Sequence, residues 1–222
     1  MAKIKTKGQE NKVYEYYLEA VDFFEKYKKN FYIGGIVLIA IVLVIFIYFK
    51  RQAANNEAAG LELNLIKPVY LAGNFQQAVY GDSTGTAKGL LYIVDNYGSS
   101  ENGETAKILL GNSFLALRDI DNAEKYFKDF SGGNPFLKAA SYAGIASVYE
   151  ARGQYLKAAE EYVSASKVSS EITNVDEYLF YAVRNYFWAE DYENAKNLIE
   201  KIKTEFPKSQ YISLSERYNH KQ

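Results

Sequence analysis

The chain has 222 residues, no cysteine, one histidine and a formal net charge of −1, with 26 Lys and Arg against 27 Asp and Glu. The lack of cysteine excludes disulfides, thiolate metal sites, cysteine nucleophiles and a lipid-bearing N-terminal Cys, and one imidazole, His220 near the end, cannot complete a His-based zinc set. Residues 52–222 are mildly acidic, so nucleic acid, which needs a basic face, is not an expected partner.

Residues 1–30 form the first predicted part. Val13, Tyr17, Ala20, Val21, Phe24 and Tyr27 recur every three to four residues with charged residues between them, which is one face of an amphipathic helix. Such a helix beside a bilayer lies in the interface, binds a cytoplasmic partner, or extends the next segment as a stalk.

Residues 31–49, from Phe31 to Phe49, contain no charge and no proline, and are apolar on every side. At about 1.5 Å per residue such a helix is roughly 28 Å long, close to the hydrocarbon thickness of a bilayer. The run is too long for the apolar core of a cleaved signal peptide, and Lys50–Arg51 ends it like a stop signal. An uncleaved transmembrane anchor is expected. Lys3, Lys5, Lys7, Lys12, Lys26, Lys28 and Lys29 precede it, and beyond Lys50–Arg51 the next basic residue is Lys67. The bias puts the N-terminus in the cytoplasm and residues 52–222 outside, with membrane lipid as a partner through the anchor.

Residues 52–100 read as a linker helix over 55–71, a turn and short helix from Gly73 to Ala78 that resemble a degenerate repeat, a loop over Gly81–Gly85, and a short helix that ends at Tyr97–Gly98. The Gly81–Gly85 loop lacks the Gly-Lys-Ser/Thr of a phosphate loop and is expected to be a turn.

Residues 101–222 show helical periodicity over 103–117, 120–130, 137–151, 155–168, 174–189, 192–205 and 209–218. Leu110-Gly111, Phe114, Ala123, Phe127 and Pro135 stand at the spacings of the tetratricopeptide repeat. A second unit has Ile145-Ala146, Tyr149, Ala158, Tyr162 and Ala165; a third has Ala182, Tyr186, Ala195, Ile199, Ile202 and Pro207. The three alanines, Ala123, Ala158 and Ala195, recur at close to the roughly 34-residue unit. Small residues let antiparallel helices approach and aromatic residues fill the space beside them. The expected fold is all-α: one transmembrane helix followed by a tetratricopeptide-like α-solenoid. Val183, where the third unit should carry Gly or Ala, departs from the pattern.

The order of parts resembles the YfgM-like family of single-pass bacterial membrane proteins with a periplasmic tetratricopeptide-like domain. The residues that carry the likeness are Phe24–Asn30 leading into Gly34-Gly35, the segment Leu91–Gly98, Ala106 and Gly111, and the closing Glu205-Phe206-Pro207-Lys208-Ser209. The resemblance implies the bacterial inner membrane, and a role beside the Sec translocon with translocon subunits, exported clients or periplasmic chaperones as partners. It brings no catalytic residue and no cofactor. Paired carboxylates such as Glu160-Glu161 read as solvated faces, so a non-enzyme is expected.

Repeat solenoids bind segments on the face lined by the first helix of each pair. Here that face carries Asn112, Ser147, Phe180, Arg184, Phe187 and Trp188 as candidate groove residues. Asn112 matches a position that holds peptide backbone in tetratricopeptide proteins, whereas the lysines of a carboxylate clamp are missing. Phe180, Phe187 and Trp188 are either apolar anchors or core against the last helix. An alternative function is a scaffold or assembly subunit of another inner-membrane complex.

Overall fold

The computed structural model describes residues 6–219; for residues 6–11 and 13 it describes the backbone alone, so Lys7 and Val13 are known only as helical positions, and Lys3, Lys5 and His220 lie outside the described residues. Every described element is helical. By packing, the chain divides into two compact units, Met1–Arg51 and Gln52–Gln222.

The first helix, α1 (Thr6–Leu71), begins in the first unit. Gly34 and Gly35 do not break it, and a Cβ at either would meet nothing within 4 Å. Its apolar residues from Phe31 to Phe49 are all exposed. It is the one helix among the described residues long and apolar enough to cross a membrane.

In the second unit, α1 contributes Ala59, Leu63 and Ile66, buried at i, i+4 and i+7. The other helices are α2 (Phe75–Tyr80), α3 (Gly89–Tyr97), α4 (Glu101–Ala116), α5 (Ile120–Lys128), α6 (Pro135–Ala151), α7 (Tyr155–Ser166), α8 (Val175–Trp188), α9 (Tyr192–Glu205) and α10 (Tyr211–Ser215), with a 3₁₀ turn over Glu216–Tyr218. The expected helix over 209–218 is therefore two short pieces. α4 is tied to α1 by Asn102, whose backbone N–H donates to Asn56 Oδ1 at 2.8 Å and whose side-chain amide donates to the Asn56 carbonyl at 2.9 Å. Gly60 leaves room for that amide, because a Cβ there would lie 2.9 Å from Asn102 Nδ2.

One turn is built four times. Gly73, Arg118, Gly153 and Glu190 each end a helix in the left-handed region, at φ 78°, 64°, 71° and 61°. After each, the next N–H reaches back across the turn: Asn74 to Val69, Asp119 to Phe114, Gln154 to Tyr149 and Asp191 to Tyr186. These bonds satisfy carbonyls that a helix end would otherwise leave unpaired. Asp119 and Asp191 then cap α5 and α9 identically: each Oδ1 accepts from an N–H at 3.2 Å and each Oδ2 from an Asn side chain at 2.7 Å, the partners being Asn122 and Asn194. A left-handed backbone costs a non-glycine residue about 1–2 kcal/mol. Glu190→Gly is therefore expected to raise stability, and Gly153→Ala to lower it, each by about 1 kcal/mol. Thermal melts of the two variants against the parent chain check the sign at each site.

The helix pairs α4–α5, α6–α7 and α8–α9 are packed by complementary volumes at matched positions. Gly111 meets Phe127, a Cβ at Gly111 falling 2.7 Å from the ring. Ala146 clusters with Tyr162, and Val183 with Ile199, all buried. As the first-helix residue grows from Gly to Ala to Val, the third unit replaces a ring by Ile. Val183 thus fits without a shift of register. Ala123, Ala158 and Ala195 are fully buried.

The loop after α5 is pinned by a buried carboxylate. Glu104 accepts from Lys107 Nζ at 2.8 Å and from the N–H and hydroxyl of Ser131, both at 2.9 Å, while Lys107 also donates to the Asp129 carbonyl. Burial pushes the Glu104 carboxyl up, but the bonds from Lys107 and Ser131 outweigh it and hold the group below its ordinary 4.5. A depressed carboxyl stabilises the fold fully above its unfolded value and loses that contribution as pH falls through the folded value. The difference in melting temperature between the parent chain and Glu104→Gln is expected to be largest near neutrality and to shrink below pH 4.5.

The Gly81–Gly85 loop closes on Asp82, which accepts from the Thr84 hydroxyl at 2.8 Å and from the N–H groups of Thr86 and Ala87 at 3.0 and 3.1 Å. Its side chain is spent on shaping the turn.

Candidate functional site

The first helices of three successive pairs, α4, α6 and α8, line one groove of about 460 Å³. Its floor is α6: Ala140, Ala143, Gly144 and Ser147, at the i, i+3, i+4, i+7 spacing that puts them on one face. None carries a side chain longer than a hydroxymethyl, so the floor is open to close approach. Asn112 stands on the α4 side. Its side chain makes no hydrogen bond to the described residues, which leaves an amide with both a donor and an acceptor at the cavity. Glu177, Tyr178, Tyr181 and Arg184 form the α8 wall, and Tyr162 of α7 enters beneath.

The polar groups of this wall differ in how firmly they are held. The Ser147 hydroxyl donates to the Ala143 carbonyl at 3.0 Å and lies 3.1 Å from the Tyr162 hydroxyl. Burial pushes the Tyr162 phenol up, so it stays a neutral hydrogen-bonding group. Arg184 pairs with Glu150, and its guanidinium lies 5.0 and 4.9 Å from the rings of Tyr181 and Trp188. Asn185, fully buried, donates from its amide to the same Glu150 carboxylate and to the Tyr181 carbonyl. Arg184 is thus a fixed, neutralised strut. Glu177 accepts from the Tyr181 hydroxyl and the Asn174 amide, each at 3.3 Å, and forms no ion pair with a described Lys or Arg.

The six residues singled out from the sequence fall into three places. Asn112, Ser147 and Arg184 share the groove. Phe180 and Phe187 lie elsewhere on α8, seven residues apart and so on one face. Phe180 stacks on Tyr211 at 5.2 Å and 23°, and Phe187 meets Tyr218 edge-on at 5.3 Å. Their rings pack against the C-terminal segment, the core arrangement of the two open from sequence. Trp188 is 44% exposed and packs on Tyr155 at 5.3 Å, beside a shallow depression with Gly153, Gln154 and Leu156. Sequence reasoning missed Tyr162, Glu177, Tyr178 and Tyr181 as lining residues. The signal was present for α8: Glu177, Tyr181 and Arg184 recur at i, i+4 and i+7 on one stripe.

A second cavity of about 370 Å³ lies around Phe127, Phe130, Ser131 and Tyr142. Ser131 there is already bonded to Glu104, whereas the Asn112 side chain in the groove has no hydrogen bond among the described residues, so the groove is the better candidate for a ligand. Among the described residues no group of three or more His, Cys, Asp or Glu side chains could hold a metal ion. No protein-family model, curated protein or solved structure matches the chain.

Proposed function

We propose that the chain is a non-catalytic, membrane-anchored protein-interaction module of the bacterial cell envelope, ancillary to the Sec translocon and to the handling of exported proteins. In this reading α1 crosses the inner membrane through residues 31–49, with the N-terminus cytoplasmic and residues 52–222 in the periplasm as a tetratricopeptide-like solenoid. The observation that carries it is the groove itself: three successive first helices lining one cavity, with a small-residue floor and the unbonded Asn112 amide at its edge. The fourfold turn supports the solenoid, since one helix–turn–helix unit stacked in series is what such folds are built from. The exposed apolar length of α1 and the lysines before it support the anchor and its orientation. The resemblance to YfgM-like proteins, resting on the residues given above, points to the translocon as the neighbour.

Topology is directly testable. Protease added to spheroplasts is expected to digest residues 52–222 and spare the tail; digestion of the domain only after lysis would reverse the orientation. Crosslinking in native membranes tests the neighbour: absence of translocon subunits among the adducts removes that assignment.

The exposed Trp188 and Leu156, with the half-buried Tyr155 beside them, favour a second reading, a scaffold or assembly subunit of another inner-membrane complex, because apolar surface outside the groove suits a permanent partner. Co-purification in mild detergent of one stoichiometric complex without translocon subunits would select it.

A further inference from the structure

We infer that the groove takes an extended polypeptide segment bearing a lysine or arginine side chain, and that Glu177 is the residue that holds this cation. The inference rests on the groove being the partner surface proposed above and adds the chemistry of its occupant.

Charge carries the argument. Among the residues that line the groove, the one basic side chain, Arg184, is neutralised by Glu150. Glu177 stands on the same wall and, among the described residues, is met only by neutral donors: the Asn174 amide, the Tyr181 hydroxyl and the Tyr211 hydroxyl. Its negative charge is therefore the uncompensated one. An acidic segment would meet the Glu177 carboxylate and be repelled, which excludes partners as well as selecting them.

Shape fixes the rest. A main chain laid along the floor of Ala140, Ala143 and Gly144 meets no long side chain. The Asn112 amide can then donate to and accept from one peptide unit, as a neighbouring strand would. A lysine or arginine stem projecting toward α8 has the Tyr178 ring beside it and the Glu177 carboxylate at its tip, so methylene groups rest on an aromatic surface while the head keeps a charged partner.

The test uses the full chain in phosphatidylcholine nanodiscs, whose neutral lipid does not attract basic peptides. Acetylated and amidated Ala/Ser decapeptides with a central Lys, norleucine or Glu are titrated by fluorescence anisotropy. The Lys peptide is expected to bind at least about tenfold more tightly than the norleucine peptide, as a charge-assisted bond should, and the Glu peptide most weakly. Glu177→Gln removes the charge, keeps one acceptor oxygen and offers an N–H that a tyrosine hydroxyl can accept, so it should melt close to the parent chain and lose the Lys preference; Glu177→Lys should turn the preference toward the Glu peptide. Equal binding of Lys and norleucine peptides, or a preference that survives Glu177→Gln, would overturn the inference. If binding is equal but abolished by Ala143→Trp, which fills the floor, the groove stands as a partner surface and only its charge selectivity fails. No binding by any peptide overturns both.

Discussion

Gly144→Ala is expected to lower the melting temperature, and Phe127→Ala to lower it further. The first expectation runs against local propensity, since alanine in a helix interior is ordinarily favoured over glycine by about 1 kcal/mol. At this site packing decides the sign. Phe127 is fully buried, with Gly111 of its own pair on one side and Gly144 of the next pair on the other; a Cβ at Gly144 would fall 2.4 Å from the ring. The ring cannot withdraw, because a Cβ at Gly111 would already stand 2.7 Å from it. Overpacking of this kind costs about 1–3 kcal/mol, more than the propensity gain at the upper end. Removing the ring leaves a cavity between two helix pairs, and Phe→Ala in such places costs about 3–5 kcal/mol. Gly144→Ala combined with Phe127→Leu should be less harmful than the two single changes added together, since a smaller side chain leaves space for the new methyl. A Gly144→Ala variant more stable than its parent would mean that α5 and α6 do not approach as closely as described.

Phe180→Ala and Trp188→Ala are expected to separate, although both residues lie on α8. Phe180 packs on Tyr211, Tyr181 and Tyr218 and belongs to the cluster built on Leu179, Val183 and Ile199. Its truncation should cost about 3 kcal/mol, near the lower end for a ring because it is only half-buried, and should detach α10. Trp188 is 44% exposed, so its loss should cost less than about 1 kcal/mol. Melts of both variants in the same detergent check this, and far-ultraviolet circular dichroism reports whether the Phe180 variant loses its C-terminal helix alone or the whole second unit. Equal effects would place the two side chains in equivalent surroundings, contrary to their contacts.

The helices were legible because their small and aromatic positions keep a steady period. Gly111, Ala123, Ala158 and Ala195 announced close helix crossings, and all are buried. The turn at Gly73-Asn74 was legible too, since glycine marks the left-handed residue; at Arg118 and Glu190 the same backbone is adopted by residues that give no such signal. Gly144 was hidden because the repeat pattern draws attention to Ile145-Ala146; Ala146 packs on Tyr162 of its own pair, whereas Gly144, like Ile145, serves the preceding one. The groove stripe of α8, Glu177, Tyr181 and Arg184, was legible from its spacing, but the fate of the aromatic residues beside it was not. Phe180, Arg184, Phe187 and Trp188 look alike as an aromatic and basic run, and only the return of Tyr211 and Tyr218 over one side of the helix decides which become core. That return is a contact between residues about thirty positions apart, and single-sequence periodicity does not carry it. Residues 6–30, read as an amphipathic helix that lies in the interface, binds a partner or extends the next segment as a stalk, run without interruption into the apolar segment as part of α1.

Exported polypeptides are proposed to occupy the groove formed by α4, α6 and α8. Site-specific photo-crosslinking in living cells addresses this occupancy most directly. A photoreactive side chain is introduced at Ala140 or Ala143 on the floor and, as a control, at the exposed Glu160 of α7, and adducts are identified by mass spectrometry. Adducts with exported proteins are expected from both floor positions, enriched in segments that contain lysine or arginine, and few from Glu160. Adducts in equal yield from Glu160, or none from the floor while Glu160 reacts, would contradict that occupancy.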